Sequence, residues 1–316
     1  MNNRSTLIAI VCGLLTALFF LAPLTLGSLG MAMSTFTALP LFVSALGFGT
    51  VAGIISGVVG AVVVAGFTGI YGAMGVGLAT LLPALWIGHM VGLSRDDTGT
   101  TEWFPVSTIL FRMALMAAVI TILIGVIAGY SDERTLEQTR EILKQFAADA
   151  SELAQTEEQQ ERMAQSLVRI VPFVAPVSLL LLMIINLLLG ARIARAQGWM
   201  LRPKTHLPSE TALPQIAVAV FAAAVVGSFV PGSVGLVAKV VAGAMAGAFL
   251  LVGLATAHTL TMQVPARGMM LVAMYVLLTF SRFLALAMAL LGVAETLFQL
   301  RARRAAPPSN SNNSNT

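Results

Sequence analysis

Residues Thr6–Leu26 read T-L-I-A-I-V-C-G-L-L-T-A-L-F-F-L-A-P-L-T-L, a stretch without a single charge and without the alternation of a half-buried strand. A bilayer core about 30 Å thick is crossed by about 20 helical residues rising 1.5 Å each. Lipid offers no partner to a free backbone N–H or C=O, so such a run must close its hydrogen bonds internally, as a helix does. The apolar run also exceeds the 7–15 residues of a secretory signal core, and it reads as an uncleaved first span.

Working outward, comparable runs recur at Met33–Phe48, Thr50–Thr68, Gly72–Leu93, Pro105–Gly129, Val168–Gly190, Ala212–Val230, Ser233–Thr259 and Gly268–Phe298. The second holds Pro40 after a Gly/Ser-rich link, which marks it as a broken or tilted helix. The whole chain agrees with these windows: of 316 residues 57% are hydrophobic and 10% charged, with a mean hydropathy of +0.89. Soluble domains carry about 25% charge, so this chain cannot coat a globule of its own size with polar surface. Membrane β-barrels would show weak alternating segments of about 10 residues, and these runs do not alternate. The expected class is all-α: a polytopic integral membrane helical bundle of eight or nine segments with one extramembrane helical insertion.

Four regions follow: N-terminal transmembrane helices over 1–130, an acidic amphipathic insertion over 131–167, C-terminal transmembrane helices over 168–300, and a disordered tail over 301–316, basic and then Ser/Asn-rich. In the insertion, Leu136, Leu143 and Ala150, with Phe146 and Leu153, form one apolar stripe at seven-residue spacing on a charged helix. It suits a helix lying on the membrane face or against the bundle, with a coiled coil for a partner as the alternative.

Loop 191–211, with Arg192, Arg195, Arg202 and Lys204 against Glu210, is the most basic connection and should face the cytoplasm. The acidic insertion, one span earlier, then falls on the extracytoplasmic side. Arg301, Arg303 and Arg304 also want the cytoplasm, yet single-span counting places them outside. A helical hairpin bending near Ser281-Arg282 restores parity; one long tilted helix with an external tail is the alternative.

Small residues let helices approach closely in lipid. Gly49, Gly53 and Gly57, beside a second row of Ala52, Ser56 and Gly60, predict a third span at the crowded centre of the bundle. Ala9, Gly13 and Ala17 stripe the first span, and Gly243 and Gly247 the eighth, for internal packing or for docking a transmembrane partner subunit. Ionisable residues at membrane depth are costly and mark candidate sites. They are Arg112, Lys239, His258, Arg282 and Glu295, joined by the polar Asn186 and, near a span end, His89. Snorkelling to the interface competes for Arg112 and Lys239. If the cations converge, their cavity suits an anionic small molecule.

Cys12 is the only cysteine, and the chain contains no phosphate-binding loop, no H-E-x-x-H and no nucleophile elbow. No enzyme activity, cofactor or metal is expected. The pI near 9.7 reflects loop charge rather than nucleic-acid binding, since no basic groove with interleaved aromatics is present.

Several stretches in order resemble the YybS-like family of predicted bacterial membrane proteins, built on a domain of unknown function. They are Leu39-Pro40-Leu41 before the glycine-rich span, Asn186-Leu187-Leu188-Leu189 leading to Arg192, Leu201-Arg202-Pro203, Leu213-Pro214, Gly253-Leu254-Ala255 with His258, and Leu291-Gly292-Val293-Ala294-Glu295 through Arg301. The resemblance implies a multi-pass protein of the bacterial cytoplasmic (inner) membrane, akin to substrate-binding components of energy-coupling-factor transporters. In that reading Ala9, Gly13 and Ala17 dock a partner subunit and the bundle holds a small solute. A non-transporting scaffold or assembly factor working through the insertion and termini is the other function considered.

Overall fold

The computed structural model describes residues 2–97, 100–130, 135–137, 139–141, 157–204, 206–262 and 264–305. Helix α1 (Asn3–Leu21) opens on an Asn2 cap whose side chain accepts from the Ser5 N–H at 3.0 Å, satisfying one of the orphan donors of a helix start. α2 (Pro23–Ser34) and α3 (Leu39–Phe48) meet at a 51° bend. Gly49, at φ 86°, then turns the chain into α4 (Thr50–Val76). α4 breaks at Gly69, φ 73°, and passes through a π-helical turn, Gly77–Leu81, into α5 (Leu82–Gly92).

A small antiparallel hairpin follows, β1 (Ser94–Asp97) against β2 (Thr100–Trp103), with Ser94 opposite Trp103. The sequence reading had no strand here. α6 (Val106–Ile127) leads to the insertion, and α7 (Glu157–Ala196) runs from the insertion straight into the bundle, across position 168. Of the insertion's apolar stripe, Leu143, Phe146, Ala150 and Leu153 lie outside the described residues. After α8 (Leu207–Glu210) and the short α9 (Ile216–Gly227) come α10 (Ser233–Leu260), α11 (Arg267–Phe280), α12 (Arg282–Phe298) and α13 (Leu300–Ala305).

The all-α membrane class stands; the count of eight or nine segments is not confirmed. Among the described residues five helices are long and apolar enough to cross, or up to seven if each bent pair is one span. α9 has only 12 residues, and Thr50–Gly92, one candidate by length and composition, breaks at Gly69 and doubles back so that His89 meets Thr50 at 2.9 Å, as the two segments expected there would. α11 and α12 meet at 117° across Ser281, so the final stretch bends where the hairpin reading placed it rather than forming one tilted helix.

The outer surface is apolar and the seams are small, the reverse of a soluble bundle. On α1, Leu7, Leu14 and Leu18 are exposed while Ala9, Gly13 and Ala17 are buried. That buried stripe meets the Ala52–Ser56–Gly60 row of α4. Ser56 Oγ donates to the Ala9 carbonyl at 2.7 Å, and a Cβ on Gly13 would stand 2.6 Å from the Ser56 backbone carbonyl oxygen. The first span's small residues are therefore packed inside this chain, and a partner would have to meet the opposite, leucine-rich face.

Gly53 and Gly57 press on Ala45, Leu85 and Leu41, but Gly49 is a turn residue with no neighbour at its Cβ position. Nor is α4 the centre: its apolar window is 33% buried, against 67% for α10. α10 is central because three glycines bring neighbours to backbone contact. Gly243 meets the Phe173 carbonyl, Gly247 meets Val177 and Leu180 of α7, and Gly253 meets Met288 and Gly292 of α12.

Candidate functional site

The polar residues picked from the sequence scatter. Asn186, 2% exposed, donates from Nδ2 to the Thr35 carbonyl at 2.9 Å and to the Leu182 carbonyl at 2.8 Å. Thr35 lies at the bend between α2 and α3, where backbone groups lose their helical partners. Asn186 therefore supplies a donor to a broken span, as lipid requires of any irregular backbone at depth.

Arg112 is exposed, with its guanidinium 5.1 Å from the Phe104 ring and Nη1 3.9 Å from Met90 Sδ. It turns back toward the start of α6, the snorkelling geometry. Arg282 is exposed at the break after Ser281. Glu295 does pair with a cation, but with Arg301 of the tail: Nε–Oε1 is 2.8 Å, and the side chains are 8% and 10% exposed. Arg301 also donates to the Pro208 carbonyl and, at 2.8 Å, to the Thr211 carbonyl. His89 bonds Thr50 Oγ1 through Nδ1 at 2.9 Å, joining α5 to the start of α4.

These bonds fix which connections share an end of the bundle. Thr259 Oγ1 donates to the Pro208 carbonyl at 2.9 Å, Arg304 donates to the Leu260 carbonyl at 2.8 Å, and Trp199 packs on Phe48 at 4.9 Å between centroids. Loop 197–215, the hairpin 94–103, the α3–α4 turn and the tail helix α13 thus form one end, here called the basic end. Lys239 is at the other end, lining a pocket with Arg169, Gln165 and Tyr130.

At the basic end the sequence's own charged loop makes a site that the span-by-span search for buried ions missed. Arg202, 9% exposed, donates from Nη1 to the Val91 carbonyl at 3.1 Å and from Nη2 to the Phe104 carbonyl at 3.0 Å. Its guanidinium lies 5.9 Å from the Trp103 ring. The Val91 carbonyl is near the C-terminal, negative end of α5, which favours a cation. Burial pulls the Arg202 guanidinium below its ordinary value and the Glu210 charge acts against that, yet arginine remains protonated throughout the physiological range.

Arg192, Arg195 and Lys204 join Arg202 around a cleft of ≈ 700 Å³ whose apolar wall is Val106, Ile109, Leu187 and Leu188. None of the four forms an ion pair among the described residues. The buried Nε of Arg195 has no hydrogen-bond partner. Those four wall residues also line a second cleft of ≈ 400 Å³, which includes Met113, Ile184, Leu251, Leu254 and His258. His258 Nε2 lies 2.8 Å from the Tyr275 hydroxyl on that wall. Of Arg112, Asn186, Lys239, His258, Arg282, Glu295 and His89, His258 alone lines this site.

The fold and cleft together define a multi-pass helical membrane protein with a cationic cleft at one end, none of whose four cations forms an ion pair among the described residues. The chain belongs to the predicted membrane protein family DUF2232, whose model matches residues 14–296. No curated protein and no solved structure matches it, and the family match says nothing of energy-coupling-factor transporters. The Leu201-Arg202-Pro203 motif quoted above was the available signal for Arg202. Its partners Val91 and Phe104 are 111 and 98 residues away.

Proposed function

We propose that this chain is the solute-binding component of a membrane transport system, holding a small anion in the cleft between α6, α7 and the loop after α7. The observation that carries this reading is the meeting of Arg192, Arg195, Arg202 and Lys204 around one cavity, with no carboxylate of the described residues paired to any of them. A cluster of cations beside an apolar wall gains an electrostatic partner when an anion enters, and guanidinium forks suit carboxylate and phosphate oxygens. Arg202 is the rigid member, held by two carbonyls; Arg192 and Lys204 are exposed and free to close on the guest.

Positive-inside bias turns the basic end toward the cytoplasm and the insertion away from it, in a bacterial inner membrane. The reading requires no chemistry on the solute, so the chain acts without catalysis and energy coupling comes from partner subunits. Thermal unfolding of the detergent-purified protein against a panel of organic phosphates and carboxylates tests it. A bound anion at 100 times its Kd stabilises the folded state by about 2.7 kcal/mol. The expected shift is abolished in Arg192→Ala/Arg195→Ala. Absence of any anion-dependent shift would return the chain to the scaffold reading.

A further inference from the structure

The cationic cleft does not end at its apolar wall. Val106, Ile109, Leu187 and Leu188 are shared with the second cleft, so the two form one groove, charged at the mouth and apolar beyond. Resting on the anion-binding reading, we propose that the guest is a membrane lipid with a phosphate headgroup: the phosphate sits among Arg192, Arg195, Arg202 and Lys204, and one acyl chain lies in the apolar arm.

Three observations carry this. The first is length. From Arg192 to Ile184 is eight residues of α7, about 12 Å at helical rise, and the lining continues to Met113 and Leu251. A compact metabolite is already accommodated at the mouth, whereas a chain needs such an arm. The second is chemistry. The arm's walls are mainly Val, Ile, Leu, Met and Ala, with Thr211, His258 and Tyr275 as side-chain polar groups, and His258 and Tyr275 are bonded to each other. A water-soluble polar guest would lose hydration there without compensating hydrogen bonds.

The third is access. Leu188 on α7 and Tyr275 on α11 are 41% and 45% exposed on the groove's rim. Both belong to the apolar surface that faces lipid, so the arm opens sideways to the bilayer. Its mouth lies at the end of the bundle, at headgroup level, where basic pockets between helices recognise anionic headgroups. A chain moving from bilayer to arm gains little hydrophobic energy, because lipid tails are as apolar as leucine. Discrimination between lipids therefore comes from the headgroup and should fall with salt, while the chain tethers that headgroup at the mouth and raises its effective concentration over a free head.

The test uses the full chain in detergent and compares three probes by native mass spectrometry and thermal shift: phosphatidic acid, glycerol 3-phosphate as the head alone, and phosphatidylcholine. We expect phosphatidic acid to bind at least tenfold more tightly than the other two. Arg192→Ala/Arg195→Ala should weaken phosphatidic acid and glycerol 3-phosphate alike. Leu187→Trp, which fills the arm, should reduce phosphatidic acid to the level of glycerol 3-phosphate. A diazirine on the acyl chain should crosslink to residues 106–113 or 184–188 of the unmutated protein, a readout that does not depend on a variant folding.

Equal binding of glycerol 3-phosphate and phosphatidic acid, with no crosslink at those residues, overturns the lipid assignment and leaves the anion reading standing. Binding of neither defeats both. Phosphatidylcholine binding as tightly as phosphatidic acid, insensitive to the arginine variants, shows annular lipid only and also overturns the assignment.

Discussion

Replacing Arg301 with methionine should release the C-terminal helix from the bundle. The guanidinium bonds Glu295 Oε1 at 2.8 Å and reaches the carbonyls of Pro208 and Thr211, with both partners of the ion pair at most 10% exposed. In Arg301→Met the Glu295 carboxylate stays buried, keeping only the 3.1 Å bond from the backbone N–H of residue 301, and two carbonyls lose donors. Breaking one side of a buried pair costs about 3–5 kcal/mol. At 1.4 kcal/mol per tenfold, that raises opening of the tail by roughly 10²-fold to several thousandfold.

Tryptic cleavage after Arg303 and Arg304, sites that survive the substitution, reports this opening when closing is fast relative to cleavage. The double variant Glu295→Leu/Arg301→Met removes the stranded charge and should regain most of the loss. A deficit of about 1–3 kcal/mol should remain for the Thr211 carbonyl, since the Pro208 carbonyl keeps the Thr259 hydroxyl. If Arg301→Met is cleaved within threefold of the parent rate, or if the double variant is no better than the single, the pair does not hold the tail and the reasoning fails.

Gly253→Ala would place a methyl 1.8 Å from the Met288 carbonyl oxygen, forcing α10 and α12 apart, and should cost at least about 1–3 kcal/mol; a lowered thermal midpoint in detergent checks it, and Gly66→Ala, with open space at its Cβ, should be silent. Asn186→Leu removes the bond to Thr35 and should cost about 0.6–1.7 kcal/mol, the range of interhelical bonds in membranes, read as faster thiol labelling of a cysteine placed at Thr35. Arg202→Lys cannot span both the Val91 and Phe104 carbonyls as the guanidinium does, so hydrogen exchange in residues 100–105 should rise while the rest of the chain stays protected.

The membrane class was legible in composition and run length alone, because lipid residence is written in every apolar window. Helix breaks were legible where their chemistry is local: Pro40 announced the bent second segment, and Ser281-Arg282 interrupted an otherwise apolar run. Centrality was not. The glycine rows of α4 and α10 look alike in sequence, and only the fold shows that α4 packs one flank while α10 is surrounded. Gly49 shows the same limit, since a four-residue spacing does not distinguish a packing glycine from a turn glycine with φ 86°.

The candidate site was legible as charge and not as place. Arg192, Arg195, Arg202 and Lys204 are visible as a basic loop, whereas intramembrane depth points to Arg112, Lys239 and Arg282. Arg112 turns toward Phe104 at the start of α6, Lys239 lines a pocket at the other end of the bundle, and Arg282 stands at the bend. The pocket needs Val106 and Ile109 from α6 beside Leu187 and Leu188 from α7, a juxtaposition across the whole insertion that no local pattern encodes.

The bond between Asn186 and Thr35 joins residues 151 positions apart, and this separation bears on how the chain is made. At about 5–20 residues per second, a ribosome delivers Asn186 roughly 8–30 s after Thr35. Until then the bend between α2 and α3 has no Asn186 donor for its exposed carbonyl, a poor state in which to face lipid. Biogenesis therefore favours an insertion machinery that retains the early helices, or lets them wait near water at the interface, until α7 arrives to seal the break. Truncation before residue 186 should leave an N-terminal half that inserts but does not settle, and its degradation rate would show how long the membrane tolerates an unfinished bend.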